Sequence, residues 1–481
     1  MYREHPLRII RYSIKNIWLL IFPLLRSIYS IHASPDTIWR WVRGAWFDIL
    51  ILLLILVFGW LEWYNRQFTV RDGMLYVRDG ILFRRQRIMP TCNISALTLE
   101  YPFWLRAVGG MYACADTAAG IMGATDIRLM LRTRDGEIFR GALPILRHGK
   151  RHGYRQKVRP WRIILFSVIF SSSFSGSLYM AAFWFQGGRI SRDLIEELHL
   201  RERLSLVSEE VAAHLSGIPP AAVMVGIVIL FTWLLSFLNN LMRYGGFYLE
   251  SDRRLLSVSS GILTKRNFFL CGQKINFLDI RQNLLTKLFR IFTISVNCPG
   301  YGNQRGSIPV CLPLLTKREM NVLLPLLFPK AGLKKNTLRP SKLSWWGYVW
   351  KPVILGMLLL PAATVLIRLF PALREVLRFF QVMLLIPVVW KLIVQTAALL
   401  TSGVALSQGQ ICLRYCRRLT FHTVIADTDC IAKVKIHRHI WQRWNGKCHL
   451  KVYFRSEVSS PCVLWNMDYE KVCELFKNLF S

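Results

Sequence analysis

The sequence predicts membrane α-helical hairpins, about six spans in all, alternating with three small all-β domains that carry a C-terminal helix. Three observations predict this. Apolar runs of bilayer length recur in pairs, a basic segment of domain size follows each pair, and those segments repeat one another. The chain has 481 residues, 53% hydrophobic and 19% charged, with 17 Trp. Its 63 Lys+Arg against 28 Asp+Glu leave a net charge of +35. Disordered chains are poor in apolar residues, so the composition excludes one. A mean hydropathy of +0.31 excludes a soluble nucleic-acid binder as the source of that charge. Eleven cysteines at irregular spacing, with no C-x-x-C pair, argue for reduced cytoplasmic domains and against a disulfide framework. Met1 to Lys15 lacks the form of a cleaved signal.

A spanning helix needs about 20 mostly apolar residues. The first segment, Ile17 to Ile31, holds Pro23 and Arg26 and either spans or lies in the interface. The second, Trp46 to Tyr64, contains the uncharged run ILILLLILVFGW. The third is Trp161 to Gln186. The fourth, Ile218 to Met242, has Pro219 and Pro220 suited to its first turn. The fifth, Trp345 to Phe370, carries Lys351 and Arg368 near its ends, and the sixth, Phe379 to Leu400, contains Lys391. Trp60, Trp63, Tyr64, Trp161, Trp345, Trp346 and Trp350 form the expected aromatic belts.

The divisions are therefore 1–64, tail and first hairpin; 65–160, first domain; 161–242, second hairpin; 243–344, second domain; 345–401, third hairpin; 402–481, third domain. Paired crossings return the chain to one side each time. Segment 65–160 has 17 Lys+Arg against 7 acids, 243–344 has 17 against 4, and 402–481 has 12 against 6. Loop 187–217 has four arginines against six acids. The positive-inside rule puts both termini and all three domains in the cytoplasm, and the protein in the inner (plasma) membrane as a multi-pass protein. Within the loop, Leu194 to Leu215 reads as an interfacial helix.

The repeat is visible at a constant offset of 181. Gly80-Ile81-Leu82-Phe83-Arg84-Arg85 meets Gly261-Ile262-Leu263-Thr264-Lys265-Arg266, and Ile94, Leu97 and Leu99 meet Ile275, Leu278 and Ile280. Farther on, Ala142 to Leu146 is expected to meet Cys311 to Leu315. At an offset of 156, Leu419-Thr420 meets Leu263-Thr264, but Arg417-Arg418 replaces Gly-Ile, so that turn differs. Alternating runs such as Met74 to Val77 and Leu255 to Val258, ending in Gly turns, predict strands. Thr316-x-x-Glu319 is a capping box before Met320, Leu323, Leu324 and Leu327, with Pro325 expected to kink the helix. Asp468 can cap a helix striped by Val472, Leu475, Phe476, Leu479 and Phe480. The first repeat shows no such ending and runs into the basic string His148 to Arg162.

With these turns, the chain resembles the bacterial pleckstrin-homology-like (PH-like) membrane proteins of the YdbT type. The residues that carry the likeness are the Gly-Ile-Leu-x-[Arg/Lys]-Arg turns at 80–85 and 261–266, and the run Asp279 to Phe289. The resemblance implies two helices followed by a PH-like sandwich or barrel, repeated. It also implies contact between basic turns and anionic lipid headgroups. Arg84, Arg85, Arg87, Lys265 and Arg266 are the candidate binding residues, for anionic lipid or a protein partner. A basic residue beside an anionic leaflet contributes about 1 kcal/mol, although charge near spans also serves simply to orient a chain.

No P-loop, G-x-S-x-G or H-E-x-x-H motif occurs, and no cofactor or nucleic-acid partner is implied. Asp126, Asp135 and Glu137 alternate with Arg128, Arg132 and Arg134 and read as paired surface charges. Cys412, Cys416, His422, Cys430, His437, His439 and His449 match no compact zinc spacing. Arg26 and Lys391, charges within apolar runs, are candidates for a role inside the membrane. The sequence thus predicts a non-enzymatic membrane-surface or protein-binding scaffold with a place in envelope maintenance, and a transporter or channel component as the alternative.

Overall fold

The computed structural model describes residues 2–16, 46–81, 83–119, 125–142, 154–170, 220–252, 255–301, 309–328, 332, 336–341, 344–371, 374–407, 409–456 and 461–480. Strand β1 (Tyr2–Arg3) precedes helices α1 (Arg8–Asn16) and α2 (Trp46–Asn65). The first unit follows as β2 (Gln67–Arg71), β3 (Met74–Asp79), β4 (Arg85–Pro90), a 3-10 turn, β5 (Ile94–Pro102), short helix α3 (Phe103–Arg106), β6 (Gly110–Thr117), β7 (Ile127–Arg132) and α4 (Thr133–Ala142). Strand β8 (Tyr154–Lys157) leads into α5 (Pro160–Phe170) and α6 (Pro220–Tyr244). The second unit is β9 (Tyr248–Ser251), β10 (Leu255–Ser260), β11 (Thr264–Cys271), a 3-10 turn, β12 (Phe277–Asn283), α7 (Leu284–Leu288), β13 (Ile291–Asn297), β14 (Val310–Thr316) and α8 (Lys317–Leu327). Helices α9 (Trp345–Leu369) and α10 (Arg374–Thr401) follow. The third unit is β15 (Gly403–Ser407), β16 (Gln410–Arg417), β17 (Thr420–Asp427), a 3-10 turn, β18 (Ile431–His437), α11 (Ile440–Trp444), β19 (Lys447–Phe454), β20 (Cys462–Asp468) and α12 (Tyr469–Phe480). The same order of elements is laid down three times.

The sheets do not respect the units. In the seven-stranded sheet β7-β6-β5-β11-β10-β9-β8, the first unit's β5 pairs antiparallel with the second unit's β11. In the six-stranded sheet β14-β13-β12-β17-β16-β15, the second unit's β12 pairs with the third unit's β17. At either end stand the sheets β1-β2-β3-β4 and β18-β19-β20. Each unit thus gives its opening three strands to one sheet and its closing three to the next. The cores interlock accordingly. Leu255 and Phe269 pack among the first unit's Leu97 and Leu129, and Phe277 packs among the third unit's Val404 and Leu450. Pairing removes the exposed edges that separate sheets would present.

A second repeated feature precedes each helical pair. Tyr2 and Arg3 pair with Phe68 and Gln67, β8 pairs with β9, and Leu338 bridges Val404. The chain leaves a sheet for its helices and returns to the neighbouring strand of that sheet.

The expectation of about six spans is not met among the described residues. There, Trp345–Leu369 is the one helix both long and apolar enough to cross a membrane. Leu50–Asn65 and Val388–Thr401 are apolar but shorter, the latter preceded by the charges of Arg374, Glu375 and Arg378. The expected span Ile17 to Ile31 with Arg26, most of Trp161 to Gln186, and the loop helix Leu194 to Leu215 lie outside the described residues. Only 6% of the apolar stretch of α9 is buried by protein, and Met357, Leu358 and Leu369 stand open.

Two further expectations are corrected. The first unit does end in a helix, α4. Its signal was concealed by Gly136 and by charges in place of an apolar stripe. Asp135 in the first turn and Arg140 in the last complement the helix dipole, and Phe139 is buried edge-on to Phe68 at 6.0 Å. The counterpart of β14 is consequently β7 and not Ala142 to Leu146. The capping box forms as its spacing predicts: Glu319 N donates to Thr316 Oγ1 and Thr316 N to Glu319 Oε2. Lys471 N donates to Asp468 Oδ1 at the start of α12, where Val472 and Phe476 are buried.

Candidate membrane-facing site

The glycines that open the two turns share a backbone conformation. Gly80 has φ 108° and Gly261 φ 105°, and an added Cβ would fall 2.0 and 2.1 Å from the carbonyl oxygens of Phe83 and Thr264. Only glycine fits. In the third unit Arg418 and Leu419 both adopt positive φ, 49° and 64°, making the tight turn of a two-residue hairpin. The second unit's turn docks on the end of α6, with Gly261 N donating to Gly245 O and Ile262 N to Met242 O.

The turn cations do not gather into one site. Arg84, Arg85 and Lys265 are exposed. Arg87 is engaged within its own unit, donating to Asp126 O at 3.1 Å and to Asp79 Oδ2 at 3.4 Å. Arg266 lies in the seam between units, 3.3 Å from Glu100, which also receives Arg128. Arg85 and Arg87 belong to the first sheet, with Arg84 just before its strand, whereas Lys265 and Arg266 belong to the seam of the second.

A second surface was not foreseen. Each unit's short helix displays apolar side chains to the outside. Phe103 (60% exposed) and Trp104 do so around α3, and Leu288 (75%) and Phe289 on and just after α7. On α11 they are Ile440, Trp441 and Trp444, the two tryptophans 73% and 75% exposed. Cations stand beside them: Arg106; Lys287 and Arg290; Arg443. The available signal was aromatic and basic residues crowded into runs too short to form a core helix, as in Ile440-Trp441-Gln442-Arg443-Trp444.

All three short helices sit at the base of long helices. Leu105 of α3 packs with Leu7, immediately before α1, and Arg11 of α1 lies over Tyr112 at 5.1 Å. Leu284 of α7 packs against Tyr348, Val394 and Phe421. Lys287 Nζ donates to Thr401 Oγ1, the last residue of α10, and lies 3.5 Å from the ring centroid of Phe421. Burial pulls that ammonium down to about 8. Beside α11, Tyr348 of α9 donates its hydroxyl to Trp465 O at 3.0 Å. Gly347 lets the two surfaces meet, because a Cβ there would fall 1.6 Å from Asn466 Nδ2.

The cysteines and histidines of the third unit are dispersed. Cys412, Cys448 and Cys462 are buried in cores, and His422 faces Asp279. Among the described residues no three His, Cys, Asp or Glu side chains gather as a metal site.

The profile described as Bacterial PH domain matches residues 21–137 and 206–324, ending in α4 and α8. The third unit, with the same element order, lies outside both matches. The chain is 25% identical over 142 residues to the UPF0699 transmembrane protein YdbT of Bacillus subtilis (strain 168). That alignment covers 29% of this chain and 29% of the relative, so it spans less than a third of either. No solved structure matches the chain. The two Bacterial PH domain matches, together just under half of the chain, and this relative support a YdbT-like bacterial PH-domain protein.

Proposed function

We propose that the chain is a non-enzymatic, multi-pass protein of the inner (plasma) membrane whose three PH-like units, divided as the sequence divides them, form one continuous platform against the cytoplasmic leaflet. It serves there as a scaffold for anionic lipid and for protein partners of the envelope. The observation that carries this reading is the pairing across each helical pair. Residues on either side of each pair hydrogen-bond in one sheet, so no bilayer can separate them. Pairing of β5 with β11 and of β12 with β17 extends that argument to all three units. The lipid-like exposure of α9 and the name of the relative, a transmembrane protein, support the membrane. The excess of Lys+Arg selects the inside. Apolar and basic residues on the short helices suit the interface, where aromatic rings and cations both find partners.

The test is accessibility. Single cysteines replacing Arg71, Lys265 and Asp429, one in each unit, are probed with a membrane-impermeant maleimide-polyethylene glycol reagent. All three should gain an adduct in broken cells and none in intact spheroplasts. Labelling of any one from outside overturns the shared cytoplasmic platform.

A further inference from the structure

A cavity of about 1290 Å³ opens where α9 and α10 meet the third unit, and its lining combines apolar and cationic side chains. Leu355 and Leu359 of α9 and Val388 and Val394 of α10 line it from the helices. Lys351, Lys391, Arg417 and Arg418 also line it, with the rings of Tyr348, Trp350, Trp441 and Trp465, and no lining residue is acidic. None of these four cations has a carboxylate partner among the described residues. Lys351 rests instead near the rings of Trp350 and Trp465, at 5.6 and 5.4 Å. At a rise of about 1.5 Å per residue, Lys391 lies roughly 15 Å along α10 from its domain end. A cation at that depth is costly unless it meets an anion or water. One turn on, at i+4 from Lys391, the side-chain oxygen of Gln395 is buried with no hydrogen-bond partner among the described residues and lines the same cavity. Burial holds the His449 imidazole down at about 4, so it adds no charge near neutral pH. The lysines and arginines carry the field.

We propose that this cavity holds one phosphate-bearing membrane lipid. The phosphate sits among Lys351, Arg417 and Arg418, with Lys391 reaching down to it, and a chain runs between α9 and α10. A hydroxyl of the headgroup or glycerol would supply the donor that the Gln395 oxygen lacks. Arginine forks suit phosphate oxygens, and the apolar lining distinguishes an amphiphile from a soluble anion. The volume accommodates a headgroup and part of a chain. This inference rests on the reading that α9 and α10 enter the bilayer.

The test uses the full chain, purified in mild detergent and titrated with dioleoyl phosphatidylglycerol under native mass spectrometry. One lipid should be retained saturably per chain. Arg417 and Arg418 are exposed, so the double variant Arg417→Ala with Arg418→Asn, asparagine tolerating the positive φ of position 418, should fold and weaken retention at least tenfold. Leu359→Trp, which fills apolar space without altering charge, should weaken it as well. Arg71→Ala with Arg78→Ala, two exposed cations of the chain's first unit outside the cavity lining, should leave it unchanged. Equal loss in that control, or none in the cavity variants, overturns the site. Saturable binding of inorganic phosphate without lipid overturns the amphiphile and leaves an anion site only. Failure of the bilayer reading is seen separately, as release of the protein from membranes by alkaline carbonate without detergent.

Discussion

Asp279 of β12 and His422 of β17 meet across the seam between the second and third units, both carboxylate oxygens 3.0 Å from the ring Nδ1. Arg281 Nε lies 2.7 Å from the same carboxylate. Asp279 is buried, and burial alone would raise its carboxyl. The charges of His422 and Arg281 and their hydrogen bonds outweigh that and hold it at about 2. The first seam uses the same device with more water: Glu100 on β5 receives Arg266 from β11. In both seams an acid on the earlier unit's strand faces a base on the later unit's strand, and the polar pair fixes register where apolar pairs would tolerate a slip.

Replacing Asp279 with Asn leaves Arg281 and His422 facing a neutral amide in a buried seam. Removing one partner of a buried pair costs about 3 kcal/mol or more. Thermal or denaturant unfolding of the purified chain should register that loss. A variant as stable as the parent would contradict it.

The same carboxylate sets an acid limit. Its folded value of about 2 lies below the ordinary 3.8, so its stabilisation is present in full above about pH 4 and is lost as pH falls toward 2. The unfolding free energy of the parent should therefore drop between pH 4 and 2 more steeply than that of Asp279→Asn. Parallel pH curves would count against the pair.

Glu100→Gln should cost far less, about 0.5 kcal/mol. Its partners Arg128 and Arg266 keep 41% and 33% of their side chains in solvent, where such pairs contribute little. A cost at Glu100 equal to that at Asp279 would show that solvent exposure is not what separates them.

Gly261→Ala should cost about 1 to 3 kcal/mol, since the new Cβ meets the Thr264 carbonyl at 2.1 Å and the φ of 105° is hostile to any side chain. Gly409→Ala, with φ 73° but open space around the Cβ, should cost less. Comparing their unfolding midpoints separates collision from backbone preference.

Trp441 and Trp444 should sit at headgroup depth. With the remaining tryptophans changed to phenylalanine, their emission should be quenched by lipid brominated near the carbonyl region and less by lipid brominated near the chain end. Emission indifferent to brominated lipid would remove α11 from the interface.

The repeat and its strands were legible because apolar alternation and Gly turns are local. So were α8 and α12, through a capping box and an apolar stripe. The short displayed helices were harder, because four or five residues give no period to read. The joining of sheets was harder still, since a strand's sequence reports what is buried and not which strand lies beside it. In β5, Ile94 to Leu99 are all buried, as expected for a strand covered on both faces, but polar Ser95 and Thr98 hide this in the sequence. Of the turn cations, the sequence picked out all five alike. It could not indicate that Arg87 and Arg266 are committed to Asp79 and Glu100.

Strand pairing between units is what joins the three into one platform. Glu100 and Arg266 are cross-strand partners, as are Asn283 and Thr420. Cross-strand Cα distances of about 4.5 to 5.5 Å suit a disulfide. Cysteine pairs at 100/266 and 283/420 should crosslink under mild oxidation in native membranes. Fragments cut at a protease site introduced between the paired positions should then stay joined on a non-reducing gel. The mismatched pair 100/420 should not crosslink. Crosslinking at both matched pairs is the result predicted, and matched pairs reacting no faster than the mismatched one would contradict the continuous platform.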